Sequence, residues 1–209
     1  MPALRLLSGW VLLLAAPLLS CSHMPESSLA PGTSLATSQT VSALADPHEQ
    51  ARRMRMQRGD TASLHHDELV RYLPERIDGF VREGKPQGES VRMGGVSYST
   101  CEQSYRRGKQ LLKVQVVDYN GAQALFAGAT ALMTSEIGPE NDEQLMRGCD
   151  LGLPGVRGYE TVQKMEHRAA VALGIGERFF VSVESTGQED TKFVKAVART
   201  LDLRGLAAM

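Results

Sequence analysis

The sequence predicts an α+β fold: a mostly antiparallel sheet of about six strands with helices packed against it. Two observations carry the prediction. Several segments alternate apolar and polar residues with a period of two, whereas two others space their apolar residues by three and four. The strand segments also come in runs with two helices interposed, not in the strict strand–helix alternation of a doubly wound parallel sheet. A length of 209 residues allows one ordinary domain plus appendages, or two very small domains. Periodic structure is expected from Thr61 onward, as a single domain over residues 61–209.

The elements follow in chain order. In His66–Pro74, the apolar Leu69, Val70, Tyr72 and Leu73 suit a short amphipathic helix, which Pro74 ends by restricting Leu73. Six strands are expected: Gly79–Arg82, Val91–Gln103, Leu111–Tyr119, Gly158–Met165, Arg168–Leu173 and Arg178–Glu184. The third is the clearest, with Leu112, Val114 and Val116 on one face and Lys113 and Gln115 on the other. Gly174-Ile175-Gly176-Glu177 reads as a hairpin turn. A helix over Gln123–Ser135 carries Leu125, Ala129, Leu132 and Met133 on one stripe. The last helix, Thr191–Leu201, aligns Phe193, Val197 and Leu201, with Asp190 as its N-cap.

Ahead of the domain the pattern changes. Arg5 precedes an apolar stretch whose unbroken part, Gly9–Leu19, is far shorter than the roughly 20 residues a spanning helix needs. A stretch this short reads as the core of a signal peptide over residues 1–20. It ends in Leu18-Leu19-Ser20-Cys21, which resembles the lipobox of bacterial lipoproteins. The resemblance implies cleavage after Ser20, a diacylglyceryl group on the Cys21 sulfur and an acylated amino terminus. Two or three acyl chains anchor stably where one is marginal, at about 0.8 kcal/mol per buried methylene. Because Ser22 rather than Asp follows the Cys, the enterobacterial sorting rule points to the outer membrane, with the domain in the periplasm.

Residues 21–60 are expected to be the lipidated N-terminus and a flexible tether. Ser22–Ala45 is rich in Ser, Thr, Ala and Pro, too polar to offset the entropy of ordering. Forty flexible residues reach about 35 Å. Arg52, Arg53, Arg55 and Arg58 form a basic cluster. It fits either contact with anionic lipid or polymer, or a solvated and partly helical linker; flanking Glu49 and Asp60 favour the linker.

Within the domain, Tyr72-Leu73-Pro74, Ile77-Asp78-Gly79-Phe80, Val114–Tyr119, Gly174–Val183 with Arg178-Phe179-Phe180, and Ala196–Leu206 resemble pieces of a group of uncharacterised exported bacterial proteins. The resemblance spans roughly Glu68–Leu206 and implies a PsbP-like α/β sandwich. It brings no catalytic residues.

Few positions nominate chemistry. Formal net charge is −1, so no global field draws nucleic acid, and none is expected as a partner. With Cys21 lipidated, Cys101 and Cys149 remain as an even pair in an oxidising compartment. They are either a disulfide, or a buried thiol on a strand and an unrelated one in a loop. No C-x-x-C supports thiol exchange or a zinc ribbon. His65-His66-Asp67-Glu68 is the one local cluster of metal-ligand residue types. Adjacent helical residues point about 100° apart, however, so a shared first shell would need a bent backbone. No metal and no cofactor is therefore expected. Glu136, Glu140, Asp142 and Glu143 read as a solvated acidic loop without the EF-hand pattern. Gly152, Gly155 and Gly158 precede a strand, whereas a dinucleotide-binding loop follows one. Asp118 ends the clearest strand, a common place for a catalytic carboxylate. No catalytic set emerges. The expectation is a lipid-anchored envelope module that binds a partner or supports assembly. The alternative is an envelope enzyme acting on cell-wall polymer or lipid through a dispersed site.

Overall fold

Seven strands form one antiparallel sheet in the order β1-β2-β3-β7-β6-β5-β4. They are β1 (Val81–Met93), β2 (Val96–Arg107), β3 (Gln110–Asp118), β4 (Gln144–Cys149), β5 (Val156–Gln163), β6 (Arg168–Ile175) and β7 (Phe179–Thr186). This computed structural model describes residues 47–134 and 138–209. The predicted signal peptide, Cys21, the tether up to residue 46 and Glu136 lie outside the described residues. All described elements belong to one compact unit, Ser42–Met209.

The sheet joins two meanders, β1-β2-β3 and β4-β5-β6-β7, side by side through β3 and β7. On its main buried face, Tyr105, Leu112, Val114, Leu173, Phe179 and Val181 are almost wholly shielded from solvent. Against this core pack Leu69 of α2 (His66–Leu69), Val194 and Val197 of α4 (Lys192–Thr200), and Leu203 and Leu206 of α5 (Leu203–Ala207). A further helix, α1 (Pro47–Gln57), precedes the sheet.

Seven strands replace the expected six because β4 adds one at one edge, while at the other edge two expected strands change their bounds. The expected Gly79–Arg82 and Val91–Gln103 are redivided into two long strands turning at Gly94-Gly95. Both glycines have positive φ (58° and 82°), which a two-residue turn of the right twist needs. At the other edge, β4 occupies Gln144–Cys149, where a loop was expected. β1 pairs on one side only and shifts register between Glu83 and Gln87. Gly84, Lys85 and Pro86 fill that bulge, which blunts a free edge.

The helix after β3 is α3 (Gln123–Thr130), continued by a 3-10 turn over Ala131–Thr134. It buries Phe126, Thr130 and Met133 and leaves Leu125 and Leu132 about half exposed, so Met133 lies on the buried face as expected while Phe126 and Thr130 take the places expected for Leu125 and Ala129. Gly174 explains the choice of face. A Cβ there would lie 2.9 Å from Thr130 and 3.0 Å from Met133. The glycine thus lets α3 lie close against the sheet face opposite the main core.

Candidate functional site

A dense polar constellation sits where β3 ends and β7 begins. Asp118 is fully buried. Its Oδ1 accepts from Arg178 Nε at 2.8 Å and from the Asn120 amide at 2.9 Å. Its Oδ2 accepts from Arg178 Nη2 and from the Leu64 amide, both at 2.8 Å. Arg178 Nη1 donates to Asp60 at 2.7 Å, and Asn120 Nδ2 donates to the other Asp60 oxygen at 2.7 Å. Burial opposes the Arg178 charge, but the two carboxylates outweigh it and raise its pKa. Removing one partner of such a buried pair generally costs about 3–5 kcal/mol.

Beside this clamp lies a cavity of about 310 Å³, lined in part by Arg52, Arg55, Asp60, Asn120 and Gln123. Arg55 comes from α1, yet it is only 4% exposed. Its pKa is lowered, first by burial and then by the like charge of Arg178, while Asp60 and Asp118 oppose the shift. The Gln123 side-chain oxygen, with the amide turned to suit, accepts from Arg55 Nη2 at 3.2 Å. Arg55 Nε is buried without a partner. The two arginines and two aspartates sum to no net charge, which is how four ionic groups share one sheet end. Of the expected basic cluster, Arg55 alone turns inward; Arg52, Arg53 and Arg58 are exposed.

A second buried carboxylate, Glu160 on β5, ties the sheet to α4. It accepts from Thr191 Oγ1 at 2.8 Å, pairs with Lys195 at 2.7 Å, and bonds Arg147 of β4. Burial alone would raise its pKa. Hydrogen bonds from Lys195, Arg147 and Thr191 outweigh burial and hold the carboxyl below its ordinary value.

The remaining sequence candidates fall as follows. Cys101 on β2 and Cys149 on β4 are buried free thiols, so the disulfide alternative is corrected. Four strands lie between theirs, about 24 Å along the sheet, whereas bridged Cα atoms lie within about 7 Å. Burial raises both thiol pKa values, helped by Asp67 near Cys101 and Glu160 near Cys149. Glu140, Asp142 and Glu143 are exposed. Gly152 and Gly155 turn the chain before β5 with positive φ, and Gly158 lies within that strand. His167 is exposed at the β5–β6 turn. His65, His66 and Asp67, by contrast, are brought together, their ligand atoms within 4.8 Å of one another.

The sequence singles out Asp118 as a carboxylate at a strand end and Arg178 as a residue of a resembling segment at a strand start, but nothing in it pairs the two. Glu160 left a clearer signal: it occupies the inward parity of β5, between Gly158 and Val162. Nothing in the sequence separates Arg55 from its exposed neighbours.

No family model matches the chain, and no curated protein matches it. Among solved structures, a GTP binding regulator from Thermotoga maritima is similar at 14% identity and a TM-score of 0.36, over 65% of this chain and 86% of that one. At that TM-score, GTP binding stays a property of that protein. No helix among the described residues is long and apolar enough to cross a membrane.

Proposed function

We propose that this chain is a lipid-anchored cell-envelope protein, held in the outer membrane by acyl chains on Cys21. In this reading its periplasmic domain is a binding or assembly module for envelope partners, with a ligand still to be identified. The anchor rests on Leu18-Leu19-Ser20-Cys21 after a short apolar segment. One structural observation supports the module over an enzyme. Asp118, the carboxylate best placed in the sequence for acid–base work, is fully buried and takes four donors on its two oxygens. A carboxylate so saturated braces the fold; it has no lone pair directed at a substrate.

The anchor is tested by phase partition and mass. The wild-type protein is expected in the detergent phase with acyl mass on residue 21, and Cys21→Ser as an unprocessed precursor or a soluble product. Wild type in the aqueous phase without acyl mass would overturn the anchor. The module is tested by complementing whatever phenotype a null strain shows. Deleting Ser22–Ala45 with lipidation retained should impair complementation, because a tether sets the effective concentration near membrane partners. His167→Ala, at an exposed turn, should complement. Full complementation by the deletion, with loss of function in a folded, normally accumulating His167→Ala, would favour an enzyme.

A further inference from the structure

We propose that His65, His66 and Asp67 form a binding site for one divalent transition-metal ion, with zinc the best fit. The proposal goes beyond the envelope reading and does not depend on it. The objection from sequence was that neighbouring helical side chains diverge. His65 lies outside the helix: it is the N-cap of α2, with extended backbone angles (φ −67°, ψ 147°). That bend swings its ring back beside that of His66, and the ring centroids come within 4.2 Å.

One ligand atom from each of the three residues lies within 4.8 Å of the others. The Asp67 carboxylate sits between the two rings with one oxygen toward each, so a small side-chain rotation brings the donors to the spacing of a small tetrahedral ion. His65 Nδ1 lies 3.2 Å from Asp67 Oδ2, and His66 Nε2 lies 3.5 Å from Asp67 Oδ1. Bonds of 2.0–2.1 Å in a tetrahedral zinc site place neighbouring ligand atoms about 3.3 Å apart. Two imidazoles and one carboxylate favour zinc, copper or nickel over calcium or magnesium. Three protein ligands leave a position for water, on the side where His65 and Asp67 are exposed.

A supporting shell orients the central ligand. His66 Nδ1 lies 3.1 Å from Ser90 Oγ, which also accepts the His66 backbone N–H at 2.8 Å. Ser90 Oγ also accepts from Ser99 Oγ at 3.1 Å; metal binding selects the tautomer in which Nδ1–H points at Ser90 and the Nε2 lone pair faces Asp67. The ring rests against β1 at Gly88, where a Cβ would lie only 2.8 Å from His66. One contact is exchanged on binding: His65 Nδ1 accepts a long 3.4 Å bond from the Asp67 amide, and the ion takes that lone pair instead.

The test is titration of the full chain in detergent with ZnCl₂, followed by calorimetry and by competition with a chromophoric zinc chelator. One ion per chain is expected. Ser90→Ala should weaken binding by about tenfold, and loss of His66 by at least that much, as outer-shell and ligand changes generally do. MgCl₂ should give no signal, and His167→Ala should bind as wild type does. Circular dichroism checks that His66→Ala folds; if it does not, Asp67→Asn, at an exposed position, carries the test. No saturable binding up to about 100 µM, an affinity near −5.5 kcal/mol, overturns the proposal. So does equal zinc binding by the triple variant His65→Ala/His66→Ala/Asp67→Asn.

Discussion

Single buried charges hold this domain at two sheet positions, and Glu160 shows how pH should reach one of them. Its carboxyl is held below its ordinary value by Lys195, Arg147 and Thr191 against the opposing effect of burial. A carboxyl depressed on folding contributes stability that is fully present above the unfolded value, about 4.3, and is lost as pH falls through the folded value. Glu160→Gln should therefore lower the urea midpoint at pH 7, and the gap from wild type should be narrower at about pH 3 than at pH 7. An equal gap at both pH values would show that the ion pairs contribute nothing beyond shape. The same residue explains a local irregularity. Thr191 precedes α4 but spends its hydroxyl on Glu160, so Asp190 Oδ1 accepts the Lys192 amide at 2.9 Å in its place. Reading Asp190 as the cap identified the right side chain one position out.

Elements were legible where one face is buried and obscure where neither is. β3, β6 and β7 lie inside the sheet, and their alternation marked them within two residues at each end. β1 and β4 are its edges. Most of β1 is exposed on both faces, so no apolar period encodes it, and Gly84, Pro86 and Gly88 argue against a strand when read alone. α3 was obscure for another reason. Its leucines suggested the wrong stripe, because the buried face was fixed by a glycine on a distant strand. Phe126, packed over that face, should cost about 3–5 kcal/mol on change to Ala. Leu125→Ser and Leu132→Ser, both at exposed positions, should stay within about 0.5 kcal/mol of wild type. Chemical denaturation of the three variants decides it, and a large loss from either leucine would restore the stripe read from spacing.

At the scale of the molecule, the point in question is where the domain starts. Hydropathy placed it at Thr61, since residues 22–62 show no apolar period. The attachments upstream of α2 are polar, and hydropathy cannot register them. Asp60 bonds Arg178 and Asn120, Ser63 bonds Ser97 and Ser99, and the Leu64 amide bonds Asp118. Arg55 of α1 is buried beside the same clamp. Residues 55–66 thus strap the ends of β2, β3 and β7 together. A chain beginning at Thr61 would lose Arg55 and Asp60 together, so the Asp118–Arg178 pair would remain neutral and the fold should survive. It would still lose the third arm of the Arg178 guanidinium and the Asn120 bonds, and should melt at a lower temperature than a chain beginning at Pro47. Asp60→Ala in the longer chain should also lower the melting temperature, because Arg55 and Arg178 would then face Asp118 alone. Equal melting temperatures for all three would return the boundary to Thr61 and make α1 part of the leader rather than of the domain.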